Sequence, residues 1–285
     1  MSAHPAPRRR AIFLDVDGTY AFHGTVPPAH SQAVRDARHA GHAVFLCTGR
    51  PVSLLGGNLL AAGFDGVVAG AGAYVAVGED VIQDIRFPEE LARTALRLLD
   101  QAGSHYLVET PEVSYARRDS YDALAARSRQ ANQPGLASLS TLVGIVAGLE
   151  VREPDPAGIG KITVFDGTVE LDTIAATLGP SVSVFPSSIA SMGVGAGELF
   201  LTRVTKALGL EAAATALGID LADTIACGDN LNDLEMIAAA GIGVAMADGR
   251  PEVIAQADLV VPGPEHAGLV TAFEMLGLIE SHPSA

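Results

Sequence analysis

Ala11-Ile12-Phe13-Leu14-Asp15-Val16-Asp17-Gly18-Thr19 is the most informative stretch of the sequence. Four consecutive apolar residues read as a short, fully buried β-strand. The run ends on two carboxylates two residues apart, Asp15 and Asp17, and then on Gly18, where the chain can turn. Two carboxylates after a buried strand are costly to bring together unless a cation or a shared proton relieves them.

Outward from this stretch, short apolar runs alternate with helix-length amphipathic segments. Pro27-Pro28 opens a helix with Ala33, Val34, Ala37 and Ala40 at helical spacing and Gly41 as its stop. Ala43–Cys47 is a second strand, 51–62 a second helix closed by Gly63, and 67–69 a third strand. Tyr74–Val77 and 81–85 read as a hairpin around Gly78. This βαβαβ order implies a parallel sheet with helices on both faces, a doubly wound α/β core.

Near Arg86 the rhythm changes. Helices at 88–101, 119–131 and 168–178 mix with strands at His105–Glu109, 113–116, 161–165, 181–185 and 189–192, while 132–158 is interrupted by Gly and Pro and fits no element. The α/β rhythm then resumes with strands at 199–201, 224–227, 242–245 and Leu259–Val261 and helices at 205–217, 230–240 and 266–278. The expected organisation is a discontinuous core, 10–85 and 193–285, with an inserted α+β cap at 86–192. The cap carries 13 acidic against 9 basic residues, the remainder 20 against 9. An anionic substrate would therefore meet the less acidic half as the lid.

Composition bounds the function. Of 285 residues, 48% are hydrophobic and 18% charged, enough apolar material for a sizeable core. A net charge of -15 argues against a nucleic-acid partner, which needs a basic face. No Trp and 5% aromatic residues argue against base-stacking platforms. Arg8, Arg9 and Arg10 precede only four apolar residues, too few for a signal peptide, and no stretch approaches the ~20 residues of a membrane span. Residues 1–9 read as a disordered tail. Cys47 and Cys227 each end an apolar run and read as small buried hydrophobes, which fits a reducing cytoplasm. Oligomeric state has no signature in the sequence.

Ligands of open α/β sheets bind outside the carboxyl ends of the strands. Four polar clusters fall at such ends or at a helix start: Asp15 to Thr19; Thr48-Gly49-Arg50; Lys206; and Gly228-Asp229-Asn230-Leu231-Asn232-Asp233. Singly, each has an ordinary structural explanation as a turn, a cap or a solvated side chain. Lys206 resists it, because a cation in the first turn of a helix opposes the macrodipole.

The four clusters, in this order, resemble the four motifs of the haloacid dehalogenase superfamily of phosphatases: D-x-D-G-T at Asp15–Thr19, the Thr at Thr48, the Lys at Lys206, and G-D-x-x-N-D at Gly228–Asp233. The Gly72-Ala73 turn, the Val244-Ala245-Met246-Ala247 stretch and a cap of about 100 residues between motifs two and three resemble the Cof-like branch with its type IIB cap, which mostly acts on sugar phosphates and related metabolites. Tyr20 stands where the family usually has Leu, and could alter the mouth of the site; Ala207 stands where Gly is common.

The resemblance implies an enzyme, a phosphoric monoester hydrolase. Asp15 would be the nucleophile and Asp17 the general acid and then base. Mg²⁺ would be held by Asp15, Asp229 and the backbone carbonyl of Asp17, with Asn232 or Asp233 direct or through water. Asp17, Gly18, Thr48, Gly49, Lys206 and Asn232 would cradle the substrate phosphate, and Arg50 is either a phosphate contact or a structural ion pair. In a strand-like segment Asp15 and Asp17 would share a side and face one phosphate.

A phosphomutase of this fold, or a non-catalytic metabolite-binding protein on it, remains as an alternative; a dehalogenase has no use for Asp17. His23, His30, His39 and His42 lack a metal-ligand pattern and read as surface or helix-face residues. Gly193 to Gly197 reads as a hinge returning from the cap, and Arg117, Arg118, Arg127 and Arg129 as a solvated face or a reach toward substrate.

Overall fold

The structure, a computed structural model, describes residues 8–129, 140–187 and 195–280. The strand expected at 189–192, Gly193 and Val194 of the expected hinge, residues 1–7 of the expected tail and 132–139 of the unassigned stretch lie outside the described residues.

In chain order the molecule forms strand β1 (Ala11–Leu14), helix α1 (Pro28–His39), strand β2 (Ala43–Cys47), the one-turn helix α2 (Gly57–Leu60) and strands β3 (Gly66–Ala69), β4 (Tyr74–Val77) and β5 (Asp80–Asp84). Next come helix α3 (Glu89–Gln101), strands β6 (His105–Glu109) and β7 (Ser114–Ala116), helices α4 (Arg118–Ser128) and α5 (Ser140–Gly148), and strands β8 (Leu149–Val151) and β9 (Lys161–Asp166). Helix α6 (Leu171–Leu178) and strands β10 (Val182–Pro186) and β11 (Gly197–Leu201) follow. The last stretch carries helix α7 (Lys206–Leu217), strand β12 (Thr224–Gly228), helix α8 (Leu234–Ala239), strand β13 (Ile242–Met246), helix α9 (Pro251–Gln256), strand β14 (Leu259–Val261) and helix α10 (Gly268–Met275).

The chain divides into two compact units. One comprises the chain up to Gly49, Gly57–Gln83 and everything from Thr205 on; the other comprises Arg50–Gly56 and Asp84–Val204. The first holds an eight-stranded sheet in the order β14-β13-β12-β1-β2-β3-β4-β5. Its pairings from β14 to β3 are all parallel, and β4 turns back antiparallel to β3. After β1 the chain winds outward through β2 and β3, and later outward the other way through β12, β13 and β14. The order of winding thus reverses beside β1, where an open α/β sheet leaves its ligand crevice. Register sharpens this: Leu14 pairs with Leu46 on one side and with Cys227 on the other, so three strands end level.

Packing follows the alternation of strand side chains. Phe13, Phe45, Cys47 and Ala226 share a core with Leu210 and Ala213 of α7, Met236 and Ile237 of α8, and Val253 of α9. The rings of Phe13 and Phe45 stack 5.1 Å apart, and burying each contributes roughly 2–3 kcal/mol. Helices α1 and α10 pack against each other and reach β2 and β14 respectively. The second unit is α+β, with a six-stranded sheet in the order β10-β11-β9-β6-β7-β8. Its pairings are antiparallel except β7 with β8. Helices α3 and α6 pack together, as do α4 and α5.

Two expected helices differ locally, and three elements had not been expected. The helix expected at 51–62 is a 3-10 turn at Val52–Leu54 followed by the short α2. Gly56 and Gly57 interrupt it with poor helix formers, and Ser53 is drawn into the second unit, where its hydroxyl lies 3.0 Å from the Thr110 carbonyl oxygen and 2.9 Å from the Ser114 hydroxyl. The helix expected at 230–240 starts as a 3-10 turn, Leu231–Asp233, before α8 begins. Part of the unassigned 132–158 stretch is ordered as α5 and β8, and α9, which starts on Pro251, had no sequence counterpart.

One close approach sets the start of α7. Gly72 has φ 104, and a Cβ there would lie 2.0 Å from the carbonyl oxygen of Thr205. Thr205 is the N-cap of α7, its hydroxyl oxygen accepting the Leu208 amide at 3.1 Å. Gly72→Ala should therefore destabilise the protein by roughly 2 kcal/mol or more, as strain and clash combine. Thr205→Ala should cost about 1 kcal/mol, and Thr205→Ser little. Urea unfolding midpoints check the ranking; Gly72→Ala unfolding with the native midpoint would contradict the close approach.

Candidate active site

The level strand ends determine what meets. Asp15 follows β1 directly, its amide donating to the Cys227 carbonyl at 2.9 Å, and it is 5% exposed. Thr48 follows β2, is buried, and its amide donates to Val68. Asp229 follows β12. Beyond Leu14 the chain does not continue as a strand. Tyr20 donates its amide to the Asp15 carbonyl at 3.0 Å, Ala21 to Val16 at 2.7 Å and Gly18 to Ala21 at 2.9 Å, forming a compact turn. The segment beyond Asp15 is thus a turn and not a continued strand. Asp15 is buried and Asp17 lies exposed within the turn.

Lys206 is the first residue of α7 and is 1% exposed. Its Nζ lies 2.5 Å from Oδ1 of Asp15 and 2.6 Å from Oδ1 of Asp233. Burial alone would lower the Lys206 pKa, but the Asp15 and Asp233 carboxylates outweigh it and keep the ammonium charged. Asp233 is wholly buried and satisfied: its Oδ2 accepts the amides of Asp229 and Asn230, each at 3.0 Å.

Asp229 accepts the Thr19 hydroxyl at 3.1 Å. Gly18, with φ 94, lies so close to Asp229 that a Cβ would come within 2.4 Å of its carboxylate. Asn232 faces Gly49, whose added Cβ would stand 3.8 Å from Nδ2. The described residues therefore bring together the key members of all four clusters in one unit. Arg50 belongs to the other unit.

The electrostatics are unbalanced. Oxygens of Asp15, Asp229 and Asp233 lie within 4.8 Å of one another around a single ammonium. Burial, followed by the neighbouring Asp233 and Asp229 carboxylates, raises the Asp15 pKa well above the carboxylate range despite Lys206. Burial and Asp233 push Asp229 up to about 7, against the Thr19 hydrogen bond and Lys206. A bound cation would relieve that crowding. The residues fit a hard one: the donors are carboxylate oxygens, and Oδ1 of Asn232 is buried without a hydrogen-bond partner. Burial pushes the Cys47 thiol far up, so its sulfur is not a thiolate ligand.

Several residues sit differently from their sequence reading. Tyr20 is wholly buried, its ring edge-on to Phe64 at 5.4 Å, so it does not line an open mouth. His30, read as a surface or helix-face residue, lies on the buried face of α1, and the buried His42 accepts the Arg10 amide on Nδ1 at 3.1 Å. Arg117, Arg118 and Arg127 pair with Asp100, Asp122 and Asp166 of their own unit. Thr19, the last residue of the first motif, holds Asp229 through its hydroxyl. Asp248, exposed after β13, adds its charge to Asp229 without any sequence signal.

Comparison with known proteins gives one answer. The profile of the haloacid dehalogenase-like hydrolases matches residues 12–273. YkrA of Bacillus subtilis, whose name assigns it provisionally as a phosphatase, is 28% identical over 273 residues, covering 95% of this chain and 99% of its own length. Among solved structures, a phosphatase of the haloalkanoate (HAD) superfamily from Bacteroides thetaiotaomicron superposes with a TM-score of 0.75 at 24% identity, over 98% of this chain and 100% of its own. A HAD subclass IIB sugar phosphatase gives 0.76 at 22% identity, over 95% and 100%. These two likenesses extend to core and cap alike and establish the fold. With the four motifs assembled and the family profile spanning nearly the whole chain, this protein belongs to the haloacid dehalogenase-like hydrolases.

Proposed function

We propose that this protein is a magnesium-dependent phosphatase that hydrolyses a phosphate monoester of a small metabolite, with sugar phosphates the first class to test, through an aspartyl-phosphate on Asp15. The observation that carries the reading is the buried Asp15–Lys206–Asp233 chain, with Nζ 2.5 and 2.6 Å from the two carboxylates. It fixes one carboxylate at a strand end beside an ammonium that offsets its charge, where a substrate phosphorus can be attacked. The provisional phosphatase name of the full-length relative points the same way.

The roles follow from placement. Asp15 attacks. Lys206 holds its oxygen and offsets its charge. Asp17, exposed in the turn, protonates the leaving alkoxide and then takes the proton of the hydrolytic water. Thr48, Gly49, Gly18 and Asn232 orient the phosphate oxygens; Arg50 contacts the phosphate or serves its own unit. A bound magnesium ion, held by Asp15, Asp229 and the Asp17 carbonyl with Asn232 as a further oxygen donor, would supply charge neutralisation. Asp233 has both oxygens engaged, and its part is to hold Lys206 and the Asp229 loop. The second unit would select the leaving group. The net charge of -15 speaks against a nucleic-acid substrate, and among the described residues no helix is long and apolar enough to cross a membrane. Cys47 and Cys227, free and buried, fit a reducing cytoplasm.

Metal removal gives the first check. EDTA should abolish phosphate release from a panel of sugar phosphates and p-nitrophenyl phosphate, Mg²⁺ should restore it, and Ca²⁺, which favours a larger and looser shell, should restore it poorly. Full turnover in metal-free buffer would contradict the reading.

The two aspartates give the second. Asp15→Asn should cut turnover by at least ~10³-fold and form no phosphoenzyme. Asp17→Asn keeps the attacking carboxylate but lacks the base for the second step, so with an activated ester it should accumulate phosphate on Asp15. Acid quench and mass spectrometry read the adduct. A phosphoryl group on Asp17, or on any residue of the Asp15→Asn protein, would overturn the assignment.

A further inference from the structure

His30 lies on α1, is wholly buried, and has no part in the chemistry above. Both ring nitrogens face backbone groups of fixed polarity. Nδ1 stands 3.0 Å from the carbonyl oxygen of Tyr20, which can only accept, so Nδ1 carries the proton and donates. Nε2 stands 3.3 Å from the amide of Leu269, which can only donate, so Nε2 is bare and accepts. The two partners fix one neutral tautomer. A second proton on Nε2 would point at the Leu269 N–H, and burial disfavours it as well, lowering the pKa of the ring against the pull of the Tyr20 carbonyl.

These two partners are not arbitrary points of the fold. Tyr20 closes the turn that begins at Asp15, donating its own amide to the Asp15 carbonyl at 3.0 Å. Its ring is buried edge-on to Phe64, and its hydroxyl lies 3.5 Å from that of Ser31, the residue after His30. Leu269 lies in the first turn of α10, among the amides that a helix start leaves without an intrahelical acceptor. One imidazole thus satisfies a turn carbonyl and a helix-start amide that are 249 positions apart in sequence.

We propose that His30 is a positioning residue for the nucleophile turn: it ties the Tyr20 end of the Asp15–Ala21 turn to α1 and to the start of α10, and so holds Asp15 in register with Lys206. The proposal rests on the reading of Asp15 as the nucleophile. A histidine that merely filled the core would be replaceable by any side chain of its size. A positioning histidine is replaceable only by one that keeps the donor to Tyr20.

Two substitutions separate these roles. The amide of His30→Asn can place a donor near the Nδ1 position and leaves Leu269 without an acceptor. The longer His30→Gln reaches the Nε2 position and abandons Tyr20. Turnover of p-nitrophenyl phosphate should fall at least about 10-fold in kcat for His30→Gln with KM little changed, as expected for a displaced reacting group, and His30→Asn should recover most of kcat. Both should lower the thermal midpoint. Nitrogen-15 NMR of the wild-type His30 ring, which needs no variant to fold, should show the proton on Nδ1. Equal kcat in the two folded variants, or a proton on Nε2, would overturn the proposal. Asp15→Asn assayed alongside separates the two readings. Turnover surviving there removes the nucleophile and the proposal together; turnover lost there but unchanged in His30→Gln removes the proposal alone.

Discussion

A buried ammonium has to be matched by carboxylates, and the first unit is arranged around that requirement. Moving a charge from water into the interior costs several kcal/mol, and only close, hydrogen-bonded partners offset it. Lys206 satisfies this with Asp15 and Asp233, which come from 191 and 27 positions away in sequence. The start of α7, the end of β1 and the loop after β12 must therefore arrive at one point. Because Lys206 opens a helix whose dipole disfavours it, the two carboxylates also offset that local cost.

The same arrangement leaves a surplus of negative charge. Lys206 matches one carboxylate, yet Asp15, Asp229 and Asp233 crowd within 4.8 Å. Asp233 avoids further penalty by accepting two backbone amides as well as the ammonium. Burial raises the pKa of both Asp15 and Asp229. Close approach is made possible by missing side chains: a Cβ on Gly18 would strike Asp229, and one on Gly228 would lie 2.5 Å from that of Asp233. The site is thus held in a high-energy arrangement by the rest of the fold, which is how charged groups become available for chemistry instead of neutralising one another.

The second unit repeats the theme on a separate scaffold. Lys161, buried at the start of β9, lies 2.7 Å from Glu198 and 3.3 Å from Glu109, and Thr163 donates to Glu109 at 2.5 Å. The sequence contains only two lysines, and each is buried between two carboxylates. Arginine serves the other cationic positions, as at Arg38, where two guanidinium nitrogens each lie 3.0 Å from an Asp65 oxygen. The division suits the side chains: a compact ammonium fits between two converging oxygens, whereas a planar guanidinium suits a single bidentate partner.

What could be read from the sequence was what local chemistry fixes. Ala11–Leu14 and Ala43–Cys47 are short, wholly apolar runs that only a buried strand accommodates, and both bounds hold in the structure. The four polar clusters were legible because their positions at strand ends and at a helix start are properties of a few neighbouring residues. Lys206 stood out because it contradicted the helix dipole locally. Long-range contact decided the rest. The break in the expected 51–62 helix depends on Ser53 meeting Thr110 and Ser114, about 60 residues away. Nothing local tells that Tyr20, which could bear on the mouth of the site, is buried against Phe64, or that His30, on a helix face, is buried between the Tyr20 carbonyl and the Leu269 amide. The hold of Thr19 on Asp229 spans 210 positions and that of His30 on Leu269 spans 239. A hydrogen bond contributes nothing to the pattern of the sequence around either partner, so strands and chemical groups are legible from neighbouring residues, whereas which groups face one another follows from the folded chain alone.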